Sequence, residues 1–301
     1  MVAASNTLLC IGECMVEMSP RGDGVFQQGF AGDVFNTAWY ARKRMSEDWR
    51  VSFYSRVGSD ALSDRFVEFT KAHGIDPSMI RRDPDRTMGL YLIELNEGER
   101  SFVYWRKHSA ARMLAADPQE LEHAVTGCDL VYFSGITLAI LSEPDRKTLV
   151  ETLEAARKLG KQVAFDPNIR PRLWQSAAEM RHWIEAGARI ADIILPSFED
   201  EQTAFGDTDP EATARRYSAL GGGLVIVKNG GGDVTCLETP NAPVIRVPVR
   251  QVQQVRDTTA AGDSFNGAFL AAWGNGEPLE TSVHQAADNA AEVIGSFGAL
   301  A

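Results

Sequence analysis

The sequence predicts an α/β fold, a mostly parallel sheet with helices on both faces, and three observations carry that expectation. Six short apolar runs bounded by polar or glycine positions read as buried strands. Segments with helical periodicity separate most of them, and the 301 residues, 44% of them hydrophobic, suffice for one large core. Strand, helix, strand repeated this often means parallel strands whose crossovers cover both faces. One main domain over residues 1–301 is expected.

In chain order the strands fall at 7–11, 51–57, 129–133, 162–165, 192–195 and 224–227. Each is rich in β-branched residues and too short for a helix. The helical stripes run over 36–45, 62–73, 144–159, 177–190, 212–220, 262–273 and 279–297, with Gly74, Gly160 and Gly221 where helix ends favour glycine. One region breaks the rhythm. Residues 88–95 and 101–106 alternate apolar and polar around the turn Asn96-Glu97-Gly98-Glu99, which reads as a β-hairpin with one polar face. Such a hairpin is either an edge addition or a lid, and Tyr91, Tyr104 and Arg106 on its inward positions favour the lid.

A formal net charge of −11 repels nucleic acid and anionic membrane, so a phosphate-bearing ligand has to meet a local positive site. The expected partners are small molecules. Cys10, Cys14, Cys128 and Cys236 lack metal-binding spacing and read as buried thiols in a reducing cytoplasm. The longest apolar stretch, 130–141, is broken by Ser134 and Gly135 and is too short to span a bilayer. No export signal is apparent, and the five histidines fall into no metal or triad pattern.

The most informative segment is Asp257-Thr258-Thr259-Ala260-Ala261-Gly262-Asp263-Ser264-Phe265, which runs straight into a helical stripe. Small residues opening a helix leave its first N–H groups unpaired, with the positive end of the dipole behind them. Residues 260–263 therefore form a candidate receptor for a phosphoryl group. Asp263 within that turn is either a plain N-terminal carboxylate or the acceptor of a proton from an attacking hydroxyl.

This segment resembles the C-terminal signature of the ribokinase (PfkB) family of carbohydrate kinases. The stretch Gly29-Phe30-Ala31-Gly32-Asp33-Val34-Phe35-Asn36 is similar to that family's sugar-binding turn. Further patches bring the similarity nearer to the 2-keto-3-deoxygluconate kinase branch. They are Gly12-Glu13-Cys14-Met15-Val16-Glu17, Gly89-Leu90-Tyr91, residues 98–106, residues 134–141, and Arg170-Pro171-Arg172-Leu173-Trp174. Together they span nearly the whole chain.

The resemblance implies a ribokinase-like sheet with a small β-sheet lid drawn from about 13–35 and 87–107. It implies ATP as donor, Mg²⁺ as counter-ion and a sugar acid phosphorylated at its terminal hydroxyl, with homo-oligomerisation through the lid. By the same resemblance Asp263, Gly262, Ala261, Ala260 and Arg170 are catalytic. Gly32, Asp33, Asn36, Tyr91, Tyr104, Arg106 and Arg170 would hold the sugar acid. Ser197, Lys228, Gly230, Gly232 and Asn289 would line the nucleotide site, with Asp200 organising the metal through water.

Three departures stand out. Ala260 replaces a glycine usual in the family, so negative φ is expected there, and Ala31 limits backbone approach in the sugar turn. Ser197 with Asp200 stands where the family has Asn-x-x-Glu, and Glu199 and Glu201 leave that register open.

From the residues alone, plainer roles compete: amphipathic sheet residues for Tyr91 and Tyr104, a surface charge for Arg106, a helix cap for Asp33, a hairpin turn for 228–233, and a solvent-facing residue for Asn289. At the level of the whole chain, a fructokinase- or ribokinase-type enzyme and a non-catalytic sugar- or nucleotide-binding regulator are the alternatives.

Overall fold

The computed structural model describes residues 6–96, 99–252 and 254–300. β1 (Asn6–Ile11) leads into the antiparallel pair β2 (Met15–Gly22) and β3 (Val25–Ala31), followed by α1 (Asp33–Arg44). Next come β4 (Trp49–Val57), α2 (Ala61–Ala72) and the short β5 (Ile80–Arg82). A second hairpin, β6 (Gly89–Asn96) and β7 (Glu99–Trp105), precedes α3 (Pro118–Thr126), β8 (Leu130–Ser134), α4 (Gly135–Ile140) and α5 (Glu143–Lys158). The alternation continues through β9 (Gln162–Asp166), α6 (Ala177–Arg189), β10 (Ile193–Ile194), α7 (Phe198–Phe205), α8 (Pro210–Ala219) and β11 (Leu224–Val227). The chain closes with β12 (Val234–Leu237), β13 (Ile245–Val247), α9 (Ala261–Gly274) and α10 (Leu279–Val293).

Nine strands form one sheet in the order β13-β12-β11-β10-β9-β8-β1-β4-β5. All its pairings are parallel except β11–β12 and β12–β13. Alternate side chains of each strand enter opposite cores. Leu8, Cys10, Phe53, Tyr132 and Ile226 pack under α1, α2, α9 and α10. Leu9, Ile11, Phe133, Phe165 and Val225 pack under α3, α4, α5, α6 and α8. The strand order reverses direction at β1, between β8 and β4, and the crevice at the carboxyl ends of these strands is where such sheets receive ligands.

The second sheet has the order β3-β2-β6-β7 and stands apart from the first. Its strands come from the segments expected to supply a lid. Phe30 of β3 roots it to the body against Phe66 and Phe69 of α2, with ring centroids 5.3 and 5.4 Å away. The backbone pairs as far as Asn96 and Glu99, and the expected turn at residues 97 and 98 lies outside the described residues.

Several expectations need correction. The first helix begins at Asp33, not residue 36, with Gly32 as its N-cap, and the last helix ends at Val293. The strand expected at 192–195 keeps only Ile193–Ile194. The apolar run 130–141 divides at Ser134, whose side chain forms a reciprocal cap with Thr137 and starts α4. Glycines 74, 160 and 221 do take positive φ, just beyond α2, α5 and α8. The glycine-rich turn 228–233 is a hairpin connection from β11 to β12.

α9 packs against α1 at close range. A Cβ on Gly267 would lie 2.5 Å from the Thr37 carbonyl oxygen and 2.8 Å from the Ala41 nitrogen, so only glycine lets these backbones meet. Gly267→Ala should force the helices apart and cost about 1–3 kcal/mol. Thermal denaturation of the purified variant checks this, and an unchanged melting temperature would contradict the tight contact.

Candidate active site

Two helix amino ends, those of α1 and α9, meet at the mouth of the main sheet and present one carboxylate each. Asp33 sits in the first turn of α1 and Asp263 in the first turn of α9. The Asn36 amide donates to Asp263 Oδ2 at 2.8 Å, and Thr37 Oγ donates to the Asp263 carbonyl at 3.3 Å. Asp33 Oδ2 accepts from Ser134 Oγ at 2.5 Å and from the Asn168 amide at 2.9 Å. The expected residues Asp33, Asn36 and Asp263 are therefore brought together from positions more than 200 apart in sequence. Gly32 has extended backbone there, and its lack of a side chain admits the Glu13 carbonyl, which a Cβ would meet at 2.3 Å.

Burial, followed by the repulsion of Asp33 and Asp166, pushes the Asp263 carboxyl up to about 7, against the Asn36 hydrogen bond and the charge of Lys228. Asp33 is raised as well, chiefly by burial, with the Ser134 bond and the Arg106 charge opposing. A half-buried carboxyl that changes charge near neutrality is suited to take up and release a proton.

The turn before Asp263 differs from expectation in two ways. Ala260 has φ +61, a left-handed conformation that costs an L-residue about 1–2 kcal/mol, not the negative φ expected. Of the four amides expected to face a ligand, that of Ala261 is taken by the Thr258 carbonyl at 3.2 Å. The N–H groups of Gly262 and Asp263 have no acceptor among the described residues. The candidate anion receptor is thus narrower than the sequence implied, with the Gly262 and Asp263 N–H groups left to it.

Around this pair the remaining residues sort by position. Arg170, exposed after β9, pairs with Asp200 of α7 at 3.2 Å. Burial raises the Asp200 carboxyl, and Arg170 opposes that rise. Ser197 is the N-cap residue of α7 and bridges to Lys228 through backbone. Arg106 is ion-paired with the buried Glu13, whose other oxygen accepts from Ser109 at 2.5 Å. Tyr91 is buried on the small sheet and donates to Glu17, while Tyr104, its cross-strand neighbour at 5.8 Å, is exposed. The face carrying Tyr91 also carries Met15 and Ala31 and touches Ala260, so it looks onto the Asp263 turn. Gly230 and Gly232 lie in the hairpin after β11, where Gly230 takes positive φ.

Asn289, expected at the nucleotide, is engaged in helix packing next to Asp263. Its carbonyl accepts from Arg44 at 2.9 and 3.2 Å and its amide donates to the Ser264 carbonyl at 3.0 Å, so it braces α10 and α1 against α9. It is buried, so the solvent-facing alternative fails.

Sequence reasoning passed over Asp166 and Asn168. The first closes β9 and the second follows it in a left-handed conformation, which lets its amide reach Asp33. The available signal was Asp-Pro-Asn directly after a buried strand, where carboxyl-end loops gather ligands. Glu13, at the exit of β1, carried the same signal.

The model of the pfkB family carbohydrate kinases matches residues 5–301. The 2-dehydro-3-deoxygluconokinase of Haemophilus influenzae (strain ATCC 51907 / DSM 11121 / KW20 / Rd) is 35% identical over 294 residues, covering 96% of this chain and 94% of that protein. That of Escherichia coli (strain K12) is 34% identical, covering 98% and 97%. Among solved structures, a PfkB protein from Polaromonas sp. JS666 superposes with TM-score 0.84 at 28% identity, over 97% of this chain and 96% of that one. A fructokinase with bound ATP from Xylella fastidiosa shares the fold with TM-score 0.85 at 22% identity, covering 98% and 94%.

The raised carboxyl has a thermodynamic consequence. Asp263→Asn keeps an acceptor for Asn36 and removes an ionisation the fold disfavours. Because the folded pKa lies above the unfolded value of about 3.9, the native carboxyl weakens the fold increasingly from about pH 4 to about 7 and by a constant amount above that. The variant should therefore melt higher than the parent at about pH 8, with the margin shrinking toward about pH 5. Equal melting temperatures across that range would mean that Asp263 titrates normally.

Proposed function

Since this chain belongs to the pfkB family of carbohydrate kinases, we propose that it moves the γ-phosphoryl group of ATP onto the terminal hydroxyl of 2-keto-3-deoxygluconate, giving 2-keto-3-deoxy-6-phosphogluconate. The observation that carries this reading is Asp263, a proton acceptor poised near neutrality beside unpaired N–H groups at a helix amino end. Phosphoryl transfer demands mainly alignment and charge stabilisation. The Gly262 and Asp263 amides would receive the moving group, and Asp263 would accept the hydroxyl proton as the new bond forms.

Asp33, held by Ser134 and Asn168, and Asn36 would orient sugar hydroxyls. Arg170 and Arg106 would meet the acid's carboxylate or the phosphoryl oxygens. The backbone of the hairpin after β11, with Ser197, would line the nucleotide.

Magnesium suits this donor set. Among the described residues no three metal-ligating side chains cluster, and this ion is commonly held by substrate phosphates with one or two carboxylates, here Asp200 through water. It would supply charge neutralisation for the phosphates. The four free thiols are buried, with Cys128 and Cys236 pushed up to about 12, which fits a reducing cytoplasm.

The small sheet is the proposed lid, and it leaves Val25, Phe26, Val103 and Trp105 exposed. Such apolar surface supports pairing of two chains through it. Replacing Val103 and Trp105 by Glu should convert the protein to monomers in analytical ultracentrifugation; a monomeric parent would refute the pairing.

A coupled ATP-consumption assay tests the activity itself over sugar acids and neutral sugars. 2-Keto-3-deoxygluconate should be preferred, Asp263→Asn should lose on the order of 10²–10⁴ in kcat, and Arg106→Ala should raise KM for the acid more than for ATP. Equal use of fructose by the parent would move the assignment to a fructokinase-type enzyme.

A further inference from the structure

Lys228 is the one lysine buried among the described residues. It points beneath α9, donating to Asp166 Oδ2 at 2.9 Å and to Asn266 Oδ1 at 3.0 Å. Asn266 in turn donates to the same Asp166 oxygen at 2.6 Å and to the Tyr132 hydroxyl at 3.1 Å, which closes the network. The ammonium lies 3.6 Å from where a Cβ on Gly262 would be, directly behind the turn that carries the unpaired amides. Burying an ammonium costs several kcal/mol, and an apolar residue of similar volume would hold the core as well. Retention of the charge at this spot therefore calls for a role beyond packing.

We infer that Lys228 is a positioning residue for transfer: its clamped ammonium is a fixed counter-charge beside the Gly262–Asp263 turn that favours the ionised Asp263 carboxyl and makes the turn attractive to a phosphoryl group. This rests on the reading of Asp263 as proton acceptor. The groups facing Asp263 are Asp33 from α1, Asp166 from the end of β9, Tyr132 from β8 and Lys228 from the end of β11. Lys228 is the cation among them; Arg106 acts on Asp33. Asp257, ahead of α9, is engaged by the N–H groups of Thr259 and Gly298. On α10, Asp288 and Glu292 are exposed beside Arg250 and Arg44. Removing Lys228 leaves Asp263 facing only negative or neutral groups, so its proton is held more tightly and ionisation moves to higher pH.

The test uses the full chain as parent, Lys228→Met, and Lys228→Met with Asp166→Asn, which removes the buried pair without stranding a charge. Two readouts are taken: the acid limb of kcat against pH with 2-keto-3-deoxygluconate and ATP, and the titration of the Asp263 carboxyl in carbon-13-labelled protein, assigned by difference from Asp263→Asn. Lys228→Met should move both upward by about one to two pH units, and the double variant should return them to near the parent position. A uniform loss of activity at all pH values, with the Asp263 signal unmoved, overturns the inference and makes Lys228 a packing residue. A parent inactive on every sugar whose Asp263 signal still shifts on Lys228→Met would sink the kinase assignment and leave the charge coupling standing.

Discussion

Two carboxylates at the amino ends of two touching helices are the constraint from which the rest of the site follows. Each alone is placed favourably, since a helix start attracts negative charge by about 0.3–1 kcal/mol. Together they repel, and partial burial denies them the water that would screen the repulsion. The fold answers with directed donors, Ser134 and Asn168 to Asp33 and Asn36 to Asp263, and with Lys228 behind the turn. The balance leaves Asp263 ionising near 7. A more generous supply of donors would fix it as a permanent anion, and none would keep it protonated.

That balance demands precise placement of α1 against α9, which the sheet alone does not provide. Gly267 lets the two backbones touch, and Asn289 ties α10, α9 and Arg44 of α1 into one unit. Thr37 adds a bond from the α1 interior to the Asp263 carbonyl. The apolar alternation of β1, β8 and β9 fills both faces below this unit, so the carboxyl ends of these strands deliver Glu13, Ser134 and Asp166 to one rim. Strong hydrophobic packing thus supplies rigidity, and weak polar contacts supply the chemistry on top of it.

Six of the nine strands of the main sheet were legible in the sequence because strand and helix periods are local properties: 224–227 matches the observed bounds and the 162–165 run lacks only Asp166, whereas β5, β12 and β13, of three or four residues each, were not recognised. Helices α3, α4 and α7 were not recognised. Each has fewer than ten residues, too few to establish a period, although Asp117-Pro118 marks the start of α3 with a cap. The helix start that carries Asp263 was legible because small residues run directly into an apolar helical stripe there. The partners of Lys228 were not, since Asp166 and Asn266 stand 62 and 38 positions away and nothing near Lys228 announces them. The left-handed Ala260 was misread because residue type argued against it, and tertiary context overrode a preference of about 1–2 kcal/mol.

The cations at the site differ in how freely they can change partners, and that difference divides their roles. Arg170 pairs with Asp200 across side chains that are 50% and 32% exposed, where an ion pair is worth about 0–1 kcal/mol. An incoming phosphoryl oxygen or carboxylate can replace Asp200 at small cost. Arg106 is paired with Glu13, whose side chain is 1% exposed, and breaking that pair would strand a buried charge. Its guanidinium stays oriented, with Nε buried and without an acceptor among the described residues. Lys228 is buried and held by Asp166 and Asn266, so it is the least free to exchange. Under the proposed function, one mobile cation, one oriented cation and one fixed cation would let a chain of net charge −11 receive an anionic donor and an anionic acceptor together, because the attraction is local and directional where the global field is repulsive.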